Sequence, residues 1–152
     1  MALLPLFGVL SAKELGAAYG NPLVLLMLGG FLLATALERS GAHRRIAMYM
    51  VRAFGGNSSR RLVFGFMCAS AFLSMWISNT ATTLMMLPIA LSVASKIDEK
   101  EHPRFAMVLL LGTAYAANIG GIATLVGTPP NVAMAGIMEE QFAFSMPFLE
   151  WM

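Results

Sequence analysis

Residues 62–95 read LVFGFMCASAFLSMWISNTATTLMMLPIALSVAS, 34 residues without a charge. A straight helix of that length would measure about 51 Å, against a hydrocarbon core of about 30 Å. The run must therefore turn back or break. Its polar group Ser78-Asn79-Thr80, with Thr82 and Thr83 just after it, is the best candidate for the turn. The arms are then Leu62–Ile77 and Leu84–Ser95, both shorter than an ordinary span. Two short arms with a polar tip describe a re-entrant hairpin, tolerated only where protein or water surrounds the tip. The rival reading is two spans of about 17 residues, the lower limit for crossing, with Ser78–Thr80 as an external loop. Against it, the run stays apolar up to the tip (Phe72, Leu73, Met75, Trp76, Ile77), and no charge, Gly or Pro marks the turn.

Phe105–Met138 is again 34 uncharged residues, and the same length argument applies. Here the break is written as Asn118, Gly120 and Gly121, then Gly127-Thr128-Pro129-Pro130-Asn131. Prolines lack the backbone donor and glycine supplies flexibility, so two helical pieces joined by an unwound link are expected.

Outside these runs, Leu15–Leu37 is 23 residues without a charge and the cleanest single span. Asn21-Pro22 interrupts it near one end, and Gly29-Gly30 suggests close helix packing. Glu38–Arg61 carries Arg39, Arg44, Arg45, Arg52, Arg60 and Arg61 against one acid, which predicts a cytoplasmic loop. Ile46, Tyr49, Met50, Ala53 and Phe54 share one side of a helix and Arg44, Arg45 and Arg52 another, as in a helix lying on the membrane surface. Apolar neighbours of this kind argue against nucleic acid as a partner. His43 and His102 read as solvated groups in charged loops, and the mixed-charge loop Lys96–Arg104 is also expected on the cytoplasmic side. Glu139–Met152 turns apolar and aromatic, as an approach to a further span. Ala2–Leu10 is too short to cross a bilayer, and no secretory signal precedes it, so a chain that starts within a membrane segment is expected.

Composition agrees: 58% of residues are hydrophobic and 12% charged, with mean hydropathy +0.72. A soluble domain carries about 25% charged residues. The single cysteine, Cys68, has no internal disulfide partner.

Neither long run contains Asp, Glu, Lys, Arg or His. Divalent cations normally recruit carboxylates, so they fit poorly. A proton relay usually needs an intramembrane acid or histidine. Hydroxyl, amide and carbonyl oxygens suit a monovalent cation such as sodium. An anionic substrate would rely on hydroxyl and amide donors, helix N-termini and a nearby bound cation. No nucleophile–base pair, metal cluster or phosphate-binding motif suggests an enzyme, and no cofactor is expected beyond sodium as coupling ion. Taken singly, each Ser, Thr or Asn here is more readily explained by bonding between helices.

The stretch Ser74-Met75-Trp76-Ile77-Ser78-Asn79-Thr80-Ala81-Thr82-Thr83 resembles the first hairpin tip of the divalent anion–sodium symporter family, the sodium/dicarboxylate cotransporters. Ala116–Gly121 through Gly127-Thr128-Pro129-Pro130-Asn131 is similar to that family's interrupted fifth helix. The motifs stand about 48 positions apart in the expected order, and the similarity runs through nearly the whole chain. The resemblance implies that Ser78, Asn79 and Thr80 meet a substrate carboxylate. It also implies that Ser74, Ser78, Asn79 and the backbone at Gly127 form a sodium site, with Thr128, Pro129, Pro130 and Asn131 breaking the helix. It further implies a homodimer in the bilayer with an elevator-like transport domain, carrying succinate, malate, fumarate or citrate with sodium.

The expected fold is an all-α polytopic membrane protein: a re-entrant helical hairpin plus an interrupted transmembrane helix, the first half of an inverted-repeat transporter. Residues 1–61 would hold partial scaffold helices and the surface helix, 62–138 the transport-domain hairpin and broken helix, and 139–152 the start of a further segment. No second Ser-Asn-Thr follows, so half of the substrate site is expected elsewhere, in the cell membrane protein of bacterial type that this chain would complete. Two other functions fit the same features: a broken-helix ion or oxyanion exchanger, such as an antiporter, and a non-transporting membrane scaffold.

Overall fold

The computed structural model describes residues 7–9, 11–55, 58–97 and 103–152. His102 and most of the mixed-charge loop lie outside them. The regular elements among the described residues are eight helices: α1 Ala12–Tyr19, α2 Pro22–Ser40, α3 Ala42–Gly55, α4 Ser59–Ser74, α5 Asn79–Ala94, α6 Phe105–Ile122, α7 Pro129–Phe142 and α8 Phe148–Trp151.

The apolar run 15–37 is not one helix. Ser11 and Glu14 form a reciprocal capping box that starts α1. Asn21 then caps α2, its Oδ1 accepting the Leu23 N–H at 2.8 Å, with Pro22 in the first turn. Asn21-Pro22 therefore starts a helix where the sequence suggested a local interruption. With 19 residues, α2 is still long and apolar enough to cross a membrane, as is the 18-residue α6. No residue of α2 is buried, and a helix apolar on all sides belongs in apolar surroundings. It ends at Gly41, whose φ of 66° is the left-handed conformation that glycine adopts without strain.

His43 is not a solvated loop residue. It is half-buried, and its Nδ1 lies 3.0 Å from the Leu37 carbonyl, closing the corner between α2 and α3. Ala47, Val51 and Gly55 of α3 face inward, while Tyr49 and Phe54, from the apolar side read in the sequence, stay exposed. The reason is a close crossing. A Cβ added at Gly65 would lie 2.9 Å from the Gly55 nitrogen, so small residues, and not the largest apolar ones, define the contact.

The core lies among α3, α4, α5 and α6, with α4 packed most extensively on α6 and α3. Phe66, Ala69 and Leu73 of α4 share one buried cluster with Met86 and Ala90 of α5 and with Phe105 and Leu109 of α6. Met86 and Ala90 lie in the far half of α5, and Phe66 lies near the middle of α4. Helix α6 runs alongside α4 in the same direction. The Cβ positions of Gly112 and Gly120 meet Met67 and Ala71 in turn. The two arms are 16 residues each, about 24 Å long. They begin and end a few residues away from the expected arms: Ser78 is already the N-cap of α5, so Thr82 and Thr83 lie inside the helix and not in the tip.

A smaller cluster of Leu125, Val132 and Ala135 packs with Leu23, Met27, Phe148 and Trp151, tying α7 and α8 to α2. Helix α7 continues through Glu139 and Glu140, so the charged residues there extend a helix.

Two glycines test this packing. Gly29 faces open space, whereas a Cβ at Gly120 would fall on the backbone of Ala71. In purified protein, Gly29→Ala is expected to hold or raise the melting temperature, gaining about 1 kcal/mol of helix propensity. Gly120→Ala is expected to lower stability by about 1–3 kcal/mol through overpacking. A thermal melt of both variants checks the contrast.

Candidate functional site

Two short non-helical links carry the polar residues. The first, Met75–Ser78, follows α4. The Leu73 carbonyl accepts the Trp76 and Ile77 N–H groups, both at 3.0 Å, which ends the helix, and buried Ile77 pins the link inward. The Ser78 hydroxyl then accepts the Ala81 N–H at 3.3 Å and starts α5. The second link, Ala123–Thr128, joins α6 to α7. Asn118, Gly120 and Gly121 belong to α6 and do not break it. Thr128 is the N-cap of α7, and Pro129 and Pro130 form its first turn with Asn131. Proline at the first helical positions loses no helix bond, so the pair starts a helix.

Side chains join the two links. The Ser74 hydroxyl donates to Asn79 Oδ1 at 2.7 Å, and Asn79 Nδ2 donates to Asn118 Oδ1 at 3.1 Å. The Thr124 hydroxyl donates to the Met75 carbonyl and accepts the Gly127 N–H at 3.1 Å. Asn131 Nδ2 donates to the carbonyls of Gly121 at 2.8 Å and Thr124 at 2.7 Å. Each such bond is worth about 1 kcal/mol net, and about 1–3 kcal/mol is lost when a buried carbonyl is left unpaired. Trp151 Nε1 donates to the Ile122 carbonyl at 2.9 Å, satisfying one of the carbonyls freed at the end of α6.

Glycine makes the crossing possible. A Cβ at Gly121 would fall on the Asn79 side chain. One at Gly127 would sit 3.0 Å from the Ser74 carbonyl oxygen and closer still to that of Gly121. Ser74, Asn79 and Gly127 are thus brought together, and Ser74 and Gly127 are buried. Ser78 and Thr80 stand at the exposed start of α5, beside half-buried Asn79. The N–H groups of Asn79 and Thr80 open that helix, where no intrahelical acceptor lies behind them.

Three contributors escaped the site reading of the sequence. The sequence presents Asn118 and Gly121 as helix breakers, and Thr124 carries no signal beyond being a lone hydroxyl in an apolar stretch. Asn131, read only as part of the break, turns its amide inward as a brace.

The chemistry available is that of neutral oxygens: hydroxyls, side-chain amides and backbone carbonyls. Among the described residues no group of three His, Cys, Asp or Glu could hold a metal. Such oxygens match a monovalent cation, and the hydroxyls and N–H groups at the start of α5 can meet an anion.

The family model described as citrate transporter (CitMHS) matches residues 1–152, the whole chain. The chain belongs to the citrate transporter family. That membership makes it an integral membrane protein, as its two long apolar helices suggest. It is 39% identical over 160 residues to the sodium-dependent dicarboxylate transporter SdcS of Staphylococcus saprophyticus, covering 100% of this chain and 31% of that protein. The protein of the same name in Staphylococcus aureus (strain USA300) is 36% identical with the same coverage. The chain therefore spans 31% of the length of these relatives.

The Gly121–Asn79 contact can be tested by a double-mutant cycle. Gly121→Ala displaces the Asn79 side chain and with it two hydrogen bonds, an expected loss of about 2 kcal/mol. Adding Asn79→Ala removes the obstructing group, so the double variant is expected to be no less stable than Asn79→Ala alone. Thermal unfolding of the four proteins reads the coupling, and simple additivity would disprove the contact.

Proposed function

We propose that the protein is a sodium-coupled symporter of di- or tricarboxylate anions, of the succinate, malate, fumarate or citrate class, and that this chain supplies one hairpin and one broken helix of it. The carrying observation is the meeting of two chain breaks through Ser74, Asn79, Asn118 and Gly127 with no charged side chain among them. The names of the relatives support the substrate class and the ion.

In this reading Ser74, Ser78, Asn79 and the backbone at Gly127 hold a sodium ion, and Ser78, Asn79 and Thr80 meet a substrate carboxylate. The ion supplies positive charge that these residues lack. Residues 62–138 belong to a moving transport domain and residues 1–61 to a scaffold. The basic segment 38–61 and the loop 96–104 face the cytoplasm, and the protein works as a homodimer. Thr128 and Pro129–Asn131 fix where α7 restarts, so that its first turn stays beside the ion.

Uptake of labelled succinate by the intact protein in proteoliposomes is the test. Sodium-driven uptake is expected, falling about 10- to 100-fold in Asn79→Ala as hydrogen bonds to charged groups are lost. In Ser74→Ala, more sodium is expected to be needed for half-maximal uptake. Uptake indifferent to sodium and to both substitutions in folded protein would favour an exchanger, and no uptake at all a scaffold.

A further inference from the structure

We propose that Thr124 is a positioning residue for the coupling cation, an inference that rests on the sodium-coupled reading above. Thr124 is fully buried, and its hydroxyl, in the second link, works differently from three threonine hydroxyls inside the helices. Thr35, Thr83 and Thr113 each donate to the carbonyl four residues back in their own helix. That bond is local and explains itself. The Thr124 hydroxyl instead reaches 49 positions back to the Met75 carbonyl, and at the same time accepts the Gly127 N–H. Among the described residues it makes the only hydrogen bond that runs directly from one link to the other.

The consequence is geometric. A carbonyl oxygen has two lone pairs, so the hold on Met75 fixes the direction of a link carbonyl without consuming it. The hold on Gly127, which the Thr124 carbonyl shares at 3.3 Å, helps keep that residue against the carbonyls of Ser74 and Gly121. Asn131 braces the same turn from the other side through Gly121 and Thr124. Cation sites made of neutral oxygens select by the number and placement of those oxygens. Thr124 sets that placement without itself being required as a ligand. Carboxylate contacts at the start of α5 do not depend on it, so the cation and not the anion should feel its loss.

The test measures succinate uptake by the intact protein as a function of sodium, for wild type, Thr124→Val and Thr124→Ser. Valine keeps the volume and removes both hydrogen bonds of the hydroxyl, leaving only the backbone bond from Gly127 to the Thr124 carbonyl. It is expected to raise the sodium needed for half-maximal uptake about tenfold or more, with the succinate KM at saturating sodium little changed. Serine keeps the hydroxyl and is expected to stay within about twofold of wild type. An unchanged sodium midpoint in Thr124→Val overturns the proposal, as does a fall in maximal uptake alone, which a merely structural residue would give. If Thr124→Val does not fold, Thr124→Cys decides, its weak donor giving a smaller shift in the same direction, and an unshifted midpoint overturning the proposal. Wild-type uptake that ignores sodium sinks the symport reading and this inference with it, and the wild-type arm alone reveals that outcome.

Discussion

Backbone polar groups inside an apolar medium have only the protein to bond to, and two of the apolar runs here are too long to cross a bilayer as single helices. Each must expose backbone where it breaks. In this chain the two breaks answer one another. The carbonyl of Met75 from the first takes the Thr124 hydroxyl of the second. The carbonyls of Gly121 and Thr124, freed around the second, take the Asn131 amide. The helix packing follows from this. Helices α4 and α6 run side by side in the same direction because their breaks must meet. Gly120, Gly121 and Gly127 are small because backbone and an amide pass through the space where their side chains would stand.

How much of this was legible in the sequence depends on the kind of signal. Length and charge are additive properties, and they were enough to show that 62–95 and 105–138 cannot be straight helices. Ser78-Asn79-Thr80 was equally visible, as a polar group near the middle of an apolar run. Glycine was misread. Gly120 and Gly121 signal either flexibility or contact, and only the approach of Ala71 and Asn79 decides between them. The proline pair located the second break correctly to within a few residues, yet its physical effect is to start α7, since the missing donors cost nothing there. Thr124 was invisible. A threonine among apolar residues ordinarily bonds to its own helix, as Thr113 does, and nothing local distinguishes the two. The inward face of α3 was not legible either: nothing local in the sequence pairs Gly55 with Gly65, whose close crossing calls for the smallest residues.

The neutrality of the site bears on coupling in the proposed mechanism. Two unit charges 4 Å apart attract by about 4 kcal/mol at the effective dielectric of a partly wet protein site. A cation bound among these oxygens would therefore tighten a nearby carboxylate by about a thousandfold. An arginine in the same place would give comparable attraction permanently. The anion would then bind whether or not sodium was present, and its affinity would no longer report the gradient. Because linkage is reciprocal, the carboxylate must tighten the cation by the same factor. Coupling of this kind needs a site that is poor for either ion alone, and hydroxyl, amide and carbonyl oxygens at the ends of short helices provide one. It also needs those oxygens to be held in place before the ions arrive, since a loose cage would spend the mutual attraction on ordering itself. The glycine crossing and the braces from Thr124 and Asn131 supply that order from within the fold, which is why the least polar part of the sequence surrounds its most consequential polar atoms.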